Sequence, residues 1–456
     1  MKIKGNLLQL CLLGAVLLQA LSSDAQPVTK VTASKGHSLF LKSDGSLWGM
    51  GGNTFGELGS GGYSTTNLPS QIMASNVTAV AAGRAHNLFL KSNGSLWAMG
   101  WNQYGQLGDG TFIDRNYPKQ IVASNVTAIA AGYAHSLFLK NDGSLWAVGR
   151  NDDGQLGDGS YIHDPNFGTN RAEQIVASNV TAIAAGWKHS LFLKNDGSLW
   201  AMGENHLGQL GDGTYGTSPY FGTNRPKQVV ASNVTAIAAG AYHSLFLKSD
   251  GSLWGMGNNI AGQLGDGTYG DANFGTNRAE QIVASNVTAI AAGFYHSLFL
   301  KNDGSLWAMG YSEYGQLGWG TWNDTNRPEQ VVARNVTAIA AGNEHSLFLK
   351  SDGSLWAMGD NLDGDLGDGT GAPVNLPKQI LGAYNLISFQ PLIGGNMQFS
   401  FVGIAGTNYA LDRSFSLAPP NWFPQVTNPA NSFGALVFTN TPSPATNNFW
   451  RIRCVP

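Results

Sequence analysis

The sequence predicts an all-β chain: a seven-bladed β-propeller of four-stranded blades followed by a small β-sandwich-like C-terminal module. Three observations carry this expectation. One phrase, His-Ser-Leu-Phe-Leu-Lys followed by a Ser/Asn-Asp-Gly turn and Ser-Leu-Trp, returns at His37, His86, His135, His189, His243, His296 and His345. It varies only at Asn87 and Asn93, both in the second copy. The copies lie 49 to 54 residues apart, a period that marks radial or stacked copies of one supersecondary unit. Finally, the apolar runs have no helical period, and 60 glycines punctuate them with turns.

The elements follow in chain order. In residues 1–25, Lys2 and Lys4 precede the apolar run Leu7 to Ala20, and Ser23-Asp24-Ala25 supplies small residues at a cleavage position. This reads as a secretory signal peptide, because the run is short for a bilayer span and the mature chain then holds no membrane span. Cys11 leaves with it, so Cys454 is the one remaining thiol and no internal disulfide forms. The seven-repeat propeller is expected over residues 28–381.

Residues 125–174 show what one repeat builds. Asn125 to Gly132 is a short strand of small side chains, His135 to Lys140 a second strand, and Asp142-Gly143 a hairpin turn into the return strand Ser144 to Gly149. A glycine-punctuated turn, Asn151 to Gly159, leads through a loop of variable length to the outer strand Glu173 to Ala177. Leu137-Phe138-Leu139 and Leu145-Trp146 place apolar residues on both faces, so both faces need cover. Blades packed radially provide it, with the Ala-rich strand at the axis. Trp48, Trp97, Trp146, Trp200, Trp254, Trp307 and Trp356 are expected to fill the widening gap between blades. The pattern is complete at both ends, from Val28 to Leu381, which leaves open whether repeats and blades coincide or are offset.

Gly-x-x-His-Ser, Asp-Gly-x-Leu-Trp-x-Met-Gly and Asn-x-x-Gly-Gln-Leu-Gly-Asp-Gly-Thr together resemble the repeat signatures of the regulator of chromosome condensation (RCC) family, over about residues 28–381. The resemblance implies a seven-bladed propeller, here of a secreted bacterial type. It does not imply one activity: members of that family include a guanine nucleotide exchange factor for a small GTPase, a plant ultraviolet-B sensor and a secreted inhibitor of β-lactamases. Beyond the ring, residues 384–456 lose the period. Met397 to Val402, Tyr409 to Asp412, Trp422-Phe423, Ala435 to Phe438 and Phe449 to Arg453 alternate between Pro, Asn and Gly turns. This is the pattern of a small β module for attachment, sorting or binding.

Catalytic and metal chemistry find little support. Equivalent histidines on successive blades are spread around a circle and do not converge on one ion, so they are expected to hydrogen-bond backbone at strand starts. The acidic turn Asp360 to Asp368 has a faint calcium-loop spacing, but its sister copies keep the same turn with fewer acids. The Asn-Val-Thr triplets at Asn76, Asn125, Asn179, Asn233, Asn286 and Asn335 match a glycosylation acceptor, yet they open the strand assigned to the crowded axis, where a glycan would clash. Neither a phosphate-cradling loop nor a nucleophile elbow is present. No enzyme, cofactor or metal is expected, and a net charge of -3 offers no basic footprint for nucleic acid.

A partner is therefore sought where the copies disagree. The pairs before the histidines are Lys35-Gly36, Arg84-Ala85, Tyr133-Ala134, Trp187-Lys188, Ala241-Tyr242, Phe294-Tyr295 and Asn343-Glu344. A second variable site after the third strand holds Trp101, Arg150, Glu204, Tyr311 and Asp360, with Tyr104, His206 and Tyr314 nearby. From these, Arg84, Trp101, Tyr104, Tyr133, Arg150, Trp187, Lys188, Tyr242, Phe294, Tyr295, Tyr311 and Tyr314 are the candidate contact residues, rich in the types that dominate interfaces. Phe167, Phe221 and Phe274, in the near-identical insertions of repeats three to five, are a further candidate ridge. The expected function is non-catalytic capture of a protein, or of a surface polysaccharide, through one ring face of a secreted scaffold. Nucleotide exchange on a small GTPase and enzyme inhibition are the alternatives.

Overall fold

Each sequence repeat folds as one blade. The computed structural model describes residues 26–162, 168–217, 221–270 and 275–382, and beyond them six strands between 385 and 455. The signal-peptide expectation for residues 1–25, and Phe167 and Phe274 of the insertion ridge, lie outside the described residues.

The first blade pairs Val28–Ala33, His37–Lys42, Leu47–Gly51 and Thr66–Met73 in that order, all antiparallel. Six further four-stranded sheets repeat it over residues 77–122, 126–176, 180–230, 234–283, 287–332 and 336–381. Repeats and blades thus coincide with no offset, and the chain ends share no sheet within the ring. Burial follows position in the blade. The second strand is buried almost throughout, the Ala-rich first strand is half-buried, and the fourth alternates towards solvent.

Adjacent blades meet through side chains of fixed role. Leu137, Leu139, Leu145 and Leu156 of the third blade close over Phe192 and Met202 of the fourth, all buried. The Gln-Leu-Gly turn comes close as well: Gly157 has φ 76°, and a Cβ there would lie 2.3 Å from Met202 Sδ, so glycine is required on both counts. The residue that plugs the gap is phenylalanine, since Phe40, Phe89, Phe138, Phe192, Phe246, Phe299 and Phe348 are among the largest fully buried side chains. The tryptophans pack against the same interblade clusters, as expected, but are only half-buried, so they line the gap without being its principal filling. Trp200 lies parallel to Phe192 at 6.0 Å, donates Nε1–H to Ser198 Oγ at 2.9 Å, and carries Lys194 Nζ 4.2 Å above its ring. An indole keeps its N–H solvated or paired, so it suits the rim of the gap better than the depth.

The histidines also differ from expectation. Their Nε2 atoms bond side chains of the next blade rather than backbone: His86 to Ser136 at 3.0 Å, His135 to Ser190 at 2.9 Å, and His345 to Ser38 at 2.8 Å. Each serine donates onward to a turn carbonyl, as Ser136 does to Gln106 at 2.7 Å. Its hydroxyl proton is thereby committed, so the histidine Nε2 is the donor and Nδ1 is unprotonated. In the second blade Asn87 fills both roles, accepting from His37 at 2.8 Å and donating to Glu57 at 2.7 Å. Burial pushes every one of these rings down to about 3 or about 4.

The Asn-Val-Thr asparagines are exposed and sit in left-handed turns, with φ between 67° and 70°. Each precedes the first strand from the opposite face of the ring, so crowding at the axis does not explain them. Asparagine is the side-chain-bearing residue best suited to that conformation, and this accounts for its recurrence.

Past residue 384, six strands pair into two three-stranded sheets. One orders Asn385–Pro391, Met397–Val402 and Ala435–Asn440, and the other Phe423–Pro429, Asn408–Ser414 and Phe449–Val455.

Candidate functional site

The first strand of a blade runs towards one face of the ring, the second leaves it and the third returns. Antiparallel pairing therefore brings both variable sites, the residues before each histidine and the third-to-fourth connection, onto the same face.

Around the axis this face is held by a main-chain collar. The residue after the conserved glycine donates its N–H to the next blade: Arg84 to Gly132, Tyr133 to Gly186, Trp187 to Gly240, Ala241 to Gly293, Phe294 to Gly342, at 3.1 to 3.3 Å. Asn343 closes onto Ser34 at 2.8 Å. The collar surrounds an opening of about 110 Å³, lined at each blade by alanine and by glycine or serine. One side chain per blade stands over it, in the order Lys35, Arg84, Tyr133, Trp187, Ala241, Phe294 and Asn343.

Over blades three to six, Tyr133, Trp187 and Phe294 of this set join the next residues in the chain, Tyr242 and Tyr295, in a continuous aromatic arc. Trp187 is sandwiched between Tyr133 (4.5 Å, 18°) and Tyr242 (5.7 Å, 15°), and Tyr242 stacks on Tyr295 (5.9 Å, 27°). Phe294 meets Trp187 edge-on at 4.6 Å and Tyr295 at 4.4 Å. The blade between them offers only buried Ala241 at this position, which leaves room for the contact. Tyr311 and Tyr314 extend the arc beyond Tyr295. Burial, with the nearby charge of Glu204, pushes the Tyr242 phenol up to about 12. Tyr311 donates to Glu313 at 2.6 Å.

The cations stand at one end. Arg84 lies over Tyr133 at 4.6 Å and Trp101 at 5.5 Å, and hydrogen-bonds the Tyr133 hydroxyl. Arg150 covers Tyr104 at 5.0 Å while its guanidinium is paired with Asp152, and Lys188 is paired with Asp153 at 2.7 Å. Opposite them, Glu344 and Asp360 make the seventh blade acidic, and burial together with the Asp360 charge raises the Glu344 carboxyl.

The candidates thus fall into three placements. Tyr133, Trp187, Tyr242, Phe294, Tyr295, Tyr311 and Tyr314 share the half-exposed arc. Trp101 is 6% exposed and lies beneath it, packed by Phe55, Tyr104 and Tyr133, so it supports the surface more than it presents one. Arg150 and Lys188 are engaged by neighbouring carboxylates, which leaves Arg84 as the half-buried cation of the group without one. Phe55 was not singled out from the sequence, and Asn343 was named only as a variable position, not as a contact candidate. A phenylalanine inside the glycine-punctuated turn, directly before Gly56, gives no signal of its packing, and an asparagine among variable residues gives none of its place at the opening.

The fold and this face define a seven-bladed propeller scaffold that displays one aromatic rim. The chain belongs to the RCC1-like domain family, whose pattern matches residues 15–213 and 168–397. It is 36% identical over 138 residues to Protein RCC2 of Mus musculus, covering 28% of this chain and 24% of that protein. To the Ultraviolet-B receptor UVR8 of Arabidopsis thaliana it is 30% identical over 153 residues, 32% of each. The chain therefore matches only about a quarter to a third of the length of these relatives. Among solved structures, Prp20p of Saccharomyces cerevisiae superposes with a TM-score of 0.66 at 21% identity, covering 80% of this chain and 91% of that one.

Proposed function

We propose that this chain is a non-catalytic secreted scaffold that captures a protein through the face carrying the aromatic arc. The observation that carries the reading is the stack Tyr133, Trp187, Tyr242 and Tyr295, contributed by four successive blades and half-exposed on one rim. Clustered Trp, Tyr and Arg on a rigid scaffold is the composition of an interface centre. A surface polysaccharide is the weaker fit. Sugar rings bind to free aromatic faces, whereas both faces of Trp187 are covered by its neighbours and Arg84 covers Tyr133. What remains for a partner is ring edges and hydroxyls, which suit the mixed polar and apolar surface of a protein. Prp20p, of the same fold, is described with binding properties to Gsp1p and histones, which is consistent with a protein-binding role for such a ring.

Secretion rests on the signal-like residues 1–25, and N-terminal sequencing of the mature chain tests it. The strands after 384 form, in this reading, an accessory β module for attachment or sorting.

The binding test compares two variants in affinity capture from the native extracellular fraction. Trp187→Ala/Tyr242→Ala/Tyr295→Ala is expected to lose the partner. Trp200→Ala, a half-buried indole outside the arc, is expected to keep it. Equal retention by both removes the arc from the function.

A further inference from the structure

We propose that the opening at the ring axis is a carboxylate receptor, taking an Asp or Glu side chain that projects from the captured protein. The inference rests on the protein-binding reading above and assigns its chemistry. Of the seven side chains over the opening, two adjacent ones are cationic, Lys35 and Arg84. Among the described residues neither lies within 4.0 Å of a carboxylate, whereas Arg150 and Lys188, a few residues along the same face, are both paired. Arg84 is also pre-ordered. Its guanidinium rests on Tyr133 and Trp101 and is tied to the Tyr133 hydroxyl, so little side-chain entropy remains to be lost when an anion arrives.

The surroundings select for more than charge. Asn343, on the other side of Lys35, adds an amide donor, and Lys35 is exposed with the Glu344 charge nearby, which makes Arg84 the principal contact. The same opening is lined by Trp187 and Phe294, which meet edge-on at 4.6 Å. A ligand carboxylate at Arg84 thus places its neighbouring residue against an apolar wall, and the site fits an acidic residue flanked by an apolar one. The aromatic arc continues outward over several blades, farther than a chain terminus would cover. This favours a side chain projecting from a surface that lies across the face.

The test uses the full chain and three pentapeptides, followed by quenching of tryptophan emission. The probes are acetylated, amidated Gly-Phe-Asp-Phe-Gly, its Asn counterpart, and that Asn peptide with a free C-terminus. The Asp peptide is expected to bind roughly tenfold more tightly than the capped Asn peptide, the scale of one charge-assisted hydrogen-bonded pair. The preference should fall with added salt, disappear in Arg84→Gln, and survive in part in Arg84→Lys. An unchanged unfolding midpoint shows that both variants are folded. Equal binding of the capped Asp and Asn peptides, no saturable binding of either, or a preference that persists in Arg84→Gln overturns the proposal. Tighter binding of the free-terminus peptide than of the Asp peptide overturns the side-chain source. Because the arc is tested by partner capture with Arg84 intact, the receptor can fail while protein binding stands.

Discussion

His345 of the seventh blade reaches Ser38 of the first at 2.8 Å, and Ser38 passes its own proton to the carbonyl of Asp365 at the same distance. Blades two to six make the same bond to their successors and the first blade makes its counterpart to Asn87, and here it joins the two ends of the ring. Since the ends share no sheet, closure depends on such side-chain bridges, on the collar bond from Asn343 to Ser34, and on apolar packing.

The bridges require neutral rings, and this gives stability a definite pH dependence. Burial lowers the seven histidines from 6.5 to about 3 or about 4. Between those values the unfolded chain binds protons that the folded chain does not. The stabilisation is therefore full above about pH 6.5 and is lost as pH falls towards the folded values, with each ring contributing up to about 1.4 kcal/mol per pH unit. Urea unfolding at about pH 7 and about pH 5 should show a marked drop at the lower value. A flat profile would rule out the neutral ring.

Asp365 is the weak point of the closure. Five blades carry glutamine here, and its side chain accepts a backbone N–H two residues upstream, as Gln316 does from Tyr314 at 3.1 Å. Aspartate is one methylene shorter, and neither of its buried oxygens has a hydrogen-bond partner. His345 Nδ1 is 3.8 Å away, but burial drives the pair apart: the carboxyl rises to about 8 and the ring falls to about 3, so both are neutral near pH 7. Asp365→Gln should stabilise the chain by about 1–3 kcal/mol. A raised carboxyl contributes stability below its unfolded value of 3.8 that is lost as pH rises to about 8. The gain in unfolding free energy should accordingly be larger at alkaline than at acidic pH. A gain independent of pH would mean that Asp365 is not a buried neutral acid.

The blade architecture was legible because a period repeats every constraint seven times, and strand, turn and blade boundaries reinforce one another. Side-chain roles were less so. Phe138 and Trp146 are equally invariant and equally apolar in sequence, and only their depth in the interblade gap separates plug from rim. The histidine partner was hidden because Ser136 is about 50 residues from His86 and looks like an ordinary strand serine. At the candidate site the variable positions were identifiable, but their mutual stacking was not. That stacking depends on which blades hold large rings and on Ala241 leaving a gap.

Depth in the gap sets a difference in cost. Phe192 is fully buried against the leucines of the preceding blade, whereas Trp200 is half-buried with its nitrogen paired to Ser198. Phe192→Ala is expected to cost about 3–5 kcal/mol. Trp200→Ala, losing part of its burial and one hydrogen bond, should cost about 2 kcal/mol. Chemical denaturation of the two variants checks the order, and an equal or greater loss at Trp200 would restore the tryptophans as the principal interblade packing.

The left-handed turns separate backbone demand from modification. Asn125 has φ 70° and is exposed, its carbonyl accepting the Asn141 N–H at 2.9 Å while the next residue, Val126, donates to Gly94 at 3.0 Å. None of these bonds uses the Asn125 side chain, so what the position demands is tolerance of positive φ. Asn125→Ala should cost about 1 kcal/mol, the penalty of placing a Cβ in that region. Asn125→Gly should be close to neutral, since glycine adopts it freely and loses only chain entropy. Both substitutions abolish the acceptor triplet equally. If turn geometry explains the asparagines, unfolding separates the two variants while the mass of the purified chain does not. Equal stability of the two, with a mass loss of one glycan in each, would assign the triplets to glycosylation instead.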